Sequence, residues 1–253
     1  MDDEPRLVPA APPVPVRERV VYVGCEGEST EPDYLRYLNG RFGNGENGNP
    51  PFRIIPVDEK DGLTPERVVA RVSAKAGGDE AWALFDRDRH TRIHQAVADA
   101  AASGVELCFS HPSFDLWLLL HFQSFGGEQS GSSENLKRKL RKADTAFERF
   151  DRRDDKSVMG ARAAALQGRV GTAIGHARGL LAQCEHGAGK AGQATIVTPR
   201  RPEGAVVAPS PKSPERWAAR SGHAPSCPVL NRDPSTDVWR LLVSLGITQD
   251  DWK

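Results

Sequence analysis

The chain has 253 residues, enough for one large domain or one domain with an appendage. Its 34 Lys+Arg balance 34 Asp+Glu, which excludes a globally basic, nucleic-acid-coating protein but leaves room for a local basic face. Hydrophobic residues make up 38% of it, so disorder throughout is excluded, and the 24 Gly and 19 Pro cluster outside the segments able to build a core. Residues 1–17 hold five prolines and predict an extended, poorly ordered tail, lacking the basic and apolar regions of a signal peptide. Arg19 to Gly24 is a β-branched run and predicts a strand. STEPDYLRYLNGRF predicts a helix, with Thr30 as N-cap, Asp33 at the capping-box position and Pro32 in the first turn. Strands are expected again at 52–57, 81–85 and 105–110, with helices opening at Thr64-Pro65 and running over 91–103. Strands alternating with helical patterns of this length imply βαβ units and a parallel sheet of about four strands in an α/β core over 18–125.

Beyond the fourth strand, FDLWLLLHF (114–122) is apolar all round and predicts a buried helix. A Gly/Ser loop follows, and then a helical extension over 134–185. Its first helix carries Leu136, Leu140, Ala143 and Phe147 on one stripe and Lys137, Arg138, Lys139, Arg141 and Lys142 on the others. A long Ala-rich helix is expected from about Gly160 to Cys184. Residues 186–228 are rich in Gly, Ala, Pro and Arg without periodicity and read as a flexible insertion. The terminal 229–253 stretch, with DPSTDVWRLLVSLGI, reads as a capped amphipathic helix docking back on the core. No apolar run approaches the roughly 18 residues of a membrane-spanning helix, and a cytoplasmic location is expected. The four cysteines, Cys25, Cys108, Cys184 and Cys227, lie far apart with no CxxC, so neither a zinc cage nor a disulfide framework is expected.

In parallel α/β sheets, ligands bind beyond the carboxyl ends of the strands. Here those ends are acidic. The first strand runs into Cys25-Glu26-Gly27, the third into Asp86-Arg87-Asp88. Asp-x-Asp spacing places two carboxylates on one side of an extended segment. Three converging carboxylates repel one another, and a divalent cation offsets that cost. Oxygen-only ligands suit Mg²⁺ or Mn²⁺. Convergence requires the first and third strands to be neighbours, as in a 2-1-3-4 sheet order. The alternative is a surface charge run with Glu26 capping the next helix.

CEGESTEPDYL (25–35), FDRDRH (85–90), SHPSFDLWLLLHF (110–122) and NRDPSTDVWRLL (231–242) together resemble the RloB family, related to the abortive-infection protein AbiLii. That family is similar to the Toprim-like domains of topoisomerases, primases and OLD-type nucleases. The resemblance implies a Toprim-like fold in which Glu26 matches the glutamate after the first strand and Asp86 and Asp88 match the later Asp-x-Asp. It further implies a Mg²⁺- or Mn²⁺-dependent nuclease acting on DNA or RNA in phage defence, beside a separate ATPase. No GxxxxGK[ST] occurs in this chain. Where the family usually reads Ser-Asn-Pro-x-Phe-Glu-x-Trp, this chain has His111 and Asp115.

Further candidates follow. Asp115 opens a buried helix and is either a carboxylate stabilised by the helix dipole or a further metal ligand; the ligand reading is preferred because buried charges need partners. Glu31 belongs to the site or faces solvent. His90 and His94 have i, i+4 spacing but no third partner, so zinc is not expected there. Lys137, Arg138, Arg141 and Lys142, with Lys156 where the family tends to carry a lysine, are the nucleic-acid-binding candidates; a solvated basic face is the plainer alternative. Cys25 reads as strand-end packing.

Overall fold

The computed structural model describes residues 18–45, 50–88, 90–130, 132–153, 155–187 and 213–248. The expected tail over 1–17 and residues 188–212 of the expected insertion lie outside them. Five strands form one sheet: β1 (Arg19–Cys25), β2 (Phe52–Val57), β3 (Glu80–Asp86), β4 (Glu106–His111) and β5 (Ser235–Thr236). Their order is β2-β1-β3-β4-β5. The first four are parallel, and β5 adds an antiparallel edge, with Ser110 opposite Thr236. The fold is therefore α/β, with the first and third strands adjacent. The fifth strand is two residues long and carries no periodicity from which a sequence could announce it.

Alternation along the strands divides the core in two. Trp82, Leu84, Val21, Val23 and Cys108 face a layer built by α1 (Thr30–Phe42), α4 (Asp115–Leu120), α5 (Glu134–Ala143), α7 (Val170–Leu181) and α9 (Val238–Ser244). Ala81, Ala83, Phe85, Leu107 and Phe109 face the opposite layer, built by α2 (Pro65–Ala76), α3 (Ile93–Ser103) and α8 (Pro214–Arg220). The all-apolar 114–122 stretch yields α4, buried along its whole length. No helix among the described residues is long and apolar enough to cross a membrane.

Three expectations need correction. The long helix over 160–184 is broken into α6 (Ala161–Leu166) and α7, because the chain turns through Gly168 at φ +73°. Thr30 does not cap α1: Ser29 holds the N-cap position, neither it nor Asp33 makes a side-chain capping bond, and the Thr30 hydroxyl instead donates to the Lys156 carbonyl at 3.0 Å. Residues 213–228 are not a flexible insertion. Ser213 Oγ accepts the Arg216 amide to start α8, with Pro214 at the first helical position. Trp217 is then buried edge-on to Phe109, with ring centroids 6.3 Å apart.

A buried charge cluster joins α8 and α9 to the sheet. Glu106 of β4 is only 3% exposed; it pairs with Arg220 at 2.7 Å and accepts Arg240 at 2.9 Å. Arg240, fully buried, also donates to the Leu107 carbonyl and lies over the Trp82 ring.

Candidate metal centre

Because β1, β3 and β4 run parallel, their carboxyl ends open on one edge of the sheet, and the acids collect there. Glu26 directly follows β1, Asp86 is the last residue of β3, and Asp115 opens α4 just after β4. The first turn of α1 adds Glu31. A Cβ on Gly27 would stand 2.6 Å from Glu31 Oε2, so any larger residue there would make the Glu31 carboxylate shift from the loop after β1.

The four carboxylates disturb one another. Burial pushes Glu31 up to about 7, with the Glu26 and Asp115 charges adding to it. Burial, then Glu26 and Glu31, hold Asp86 well above the usual carboxylate range. Its Oδ1 is sealed from solvent without a hydrogen-bond partner among the described residues, although the residue as a whole is half-buried. Burial takes Asp115 up to about 6 despite the nearby ammonium groups of Lys137 and Lys156. Such a set destabilises the fold when ionised. Glu31's folded-state value lies above its unfolded value, so stability is lost as pH rises through about 7. In the presence of chelator, Glu31→Gln should leave the thermal midpoint nearly unchanged at about pH 5 and raise it by several degrees at about pH 8, at roughly 2–4 °C per kcal/mol. A midpoint that falls at both pH values would show that the Glu31 charge is compensated.

Glu26 is fixed from both sides. Its Oε2 accepts the Asp86 amide at 2.9 Å, tying the ends of β1 and β3 together, and its Oε1 lies 2.8 Å from His90 Nε2. That hydrogen bond holds the His90 imidazole above its ordinary pKa. His90 therefore sits in the site as the partner of Glu26, a role its spacing to His94 does not reveal; the only sequence hint is its place four residues after Asp86.

Asp88 stands past the end of the strand, and its charge acts on His90. β3 ends at Asp86, and the backbone turns at Asp88 with φ +29°, so strand alternation stops before the second aspartate. Asp88 is exposed on the rim near His90, and its amide donates to the Pro112 carbonyl at 2.9 Å.

The predicted basic residues divide. Lys137 reaches Asp151 at 2.6 Å, Lys156 reaches it at 3.5 Å, and both ammonium groups act on Asp115. Arg141 donates through Nε and Nη2 to the Phe150 and Asp151 carbonyls. Arg138 and Lys142 line a shallow depression of about 370 Å³ with Gln123, Asn135 and Lys139. Lys156 is placed by α1: Asp33 Oδ2 accepts the Ser157 hydroxyl at 2.6 Å and the Val158 amide at 3.2 Å, beside the Thr30 bond. His111 lies 3.5 Å from Asp233, and burial lowers its pKa.

A family model described as RloB-like protein matches residues 21–245, a span that holds every one of these residues. The chain belongs to the RloB-like family. No curated protein and no solved structure gives a significant match. In this RloB-like chain, then, the matched span contains the four clustered carboxylates, the His90 partner of Glu26 and the two lysines.

Proposed function

We propose that the chain is a Toprim-type, divalent-metal-dependent nuclease that hydrolyses phosphodiester bonds of nucleic acid in phage defence. The observation that carries this reading is that Glu26, Glu31, Asp86 and Asp115 lie near enough at one sheet edge to act on one another's charge, with the buried Asp86 Oδ1 lacking a hydrogen-bond partner among the described residues. The donor set fits a hard cation, being oxygen only. Asp86, Glu26, Asp115 and Glu31 would hold Mg²⁺ or Mn²⁺, which would supply a Lewis acid and neutralise charge on the phosphate. The protein's own groups do the rest. The Glu26–His90 pair is placed to hold or pass a proton at Glu26 Oε1. Lys137 and Lys156 flank the acids and would orient a phosphodiester, with Asp151 fixing both ammonium groups. The separate ATPase partner and the defence setting rest on the family resemblance alone.

Incubating the pure protein with mixed DNA and RNA in Mg²⁺, Mn²⁺ or EDTA tests the reading. Cleavage is expected with either metal and not in EDTA. Binding without cleavage under every condition would overturn it in favour of a non-catalytic nucleic-acid or ATPase-binding module.

A further inference from the structure

The cysteines, scattered in sequence, are not all scattered in space. Cys184 lies just past the end of α7, while His223 and Cys227 sit in the turns that follow α8. Their Sγ, imidazole nitrogen and Sγ atoms all fall within 4.8 Å of one another. Cys184 Sγ is 3.8 Å from Cys227 Sγ, and Cys227 Sγ is 3.7 Å from His223 Nδ1, across 43 residues of chain. A tetrahedral zinc ion with Zn–S near 2.3 Å and Zn–N near 2.0 Å sets sulfur–sulfur and sulfur–nitrogen separations of about 3.8 and 3.6 Å. Both thiols are free, and Cys227 is buried.

We propose that Cys184, His223 and Cys227 bind a structural Zn²⁺, with His186 as the fourth ligand. His186 lies two residues after Cys184, and its carbonyl already accepts the Ala224 amide at 2.7 Å, so its turn is tied to the His223 turn. The ligand pattern is Cys-x-His followed by His-x₃-Cys. Two thiolates and two imidazoles make a closed, four-coordinate set of the structural kind. Arg232 supports it from behind, donating to the Cys227 carbonyl at 3.1 Å while stacking 4.4 Å from the Trp217 ring centroid. Cys184 and His186 line a cavity of about 630 Å³, which gives an ion its way in. The position gives the ion a purpose. α7 packs in one hydrophobic layer and α8 in the other, so a metal here staples the two layers together at the β5 edge of the sheet.

The test uses the full chain purified from zinc-supplemented medium. About one zinc per chain is expected, lost in Cys184→Ser/Cys227→Ser and weakened at least tenfold in affinity by His186→Ala. Cobalt replacement should give the intense visible bands and thiolate charge-transfer band of a tetrahedral site. If the double variant does not fold, the wild type still decides: organomercurial titration should release one zinc as two thiols react, since Cys25 and Cys108 are fully buried. Zinc-free protein with no cobalt charge-transfer band, or a Cys184–Cys227 disulfide in freshly prepared protein, would overturn the proposal. Asp86→Asn should keep its zinc, so failure of the nuclease reading and failure of this one are distinguishable.

Discussion

On the proposed nuclease reading, Asp86→Asn should fold normally and cleave nucleic acid at least about 10²-fold more slowly than the wild type. The substitution is isosteric and removes one negative charge from a group that burial and three neighbouring carboxylates already hold above its usual range. Loss of an outer partner of a metal ligand costs about 10–100-fold, so removing a ligand itself sits at or beyond the upper end. Affinity for nucleic acid should persist or rise, because a charge that repels phosphate has gone. Calorimetry should show weaker Mn²⁺ binding in Asp86→Asn and nearly unchanged binding in Asp88→Asn, since Asp88 is exposed on the rim. Glu26→Gln should share the loss of turnover, and in addition the His90 imidazole should titrate at lower pH by NMR, because its charge partner is neutral. Full cleavage by Asp86→Asn would sink the assignment. A merely structural role for Glu26 would lower stability and shift His90 without the loss of turnover.

Arg240→Ala should cost about 3–5 kcal/mol in urea unfolding, the range for stripping one partner from a buried ion pair. Glu106 would keep Arg220 but lose the guanidinium that also holds the Leu107 carbonyl and covers Trp82. The midpoint of thermal unfolding should fall by roughly 10 °C. Combining Arg240→Met with Glu106→Gln should cost less than the sum of the single changes, since the two charges are then removed together. A loss under about 1 kcal/mol for Arg240→Ala would show that the pair is solvated.

Much of this architecture was legible in residue order. Short apolar runs alternating with helical patterns marked β1 to β4, and the acids at two strand ends implied the adjacency of β1 and β3. Three kinds of feature escaped. β5 owes its existence to pairing with β4, which no two-residue pattern can encode. α8 had a start signal in Ser213-Pro214, but the composition around it hid the signal. The turn at Asp88, which takes it out of strand alternation, leaves no mark in the Asp-x-Asp spacing. At the site, Glu26 and Asp86 could be found from chain position, whereas His90 and the Asp151 bridge between Lys137 and Lys156 exist only through tertiary contact.

The first turn of α1 serves two ends within four residues. Glu31 points its carboxylate into the acid cluster, while Thr30 and Asp33 grip the 156–158 segment and so set where Lys156 stands. Inactivating changes recovered from a genetic screen would accumulate along this turn for two unrelated causes. A change at Glu31 would alter the site's charge, whereas a change at Asp33 would let a distant lysine drift while every acid stayed in place. The two classes would look alike in an activity assay, but cation affinity would separate them, being altered in the first and intact in the second.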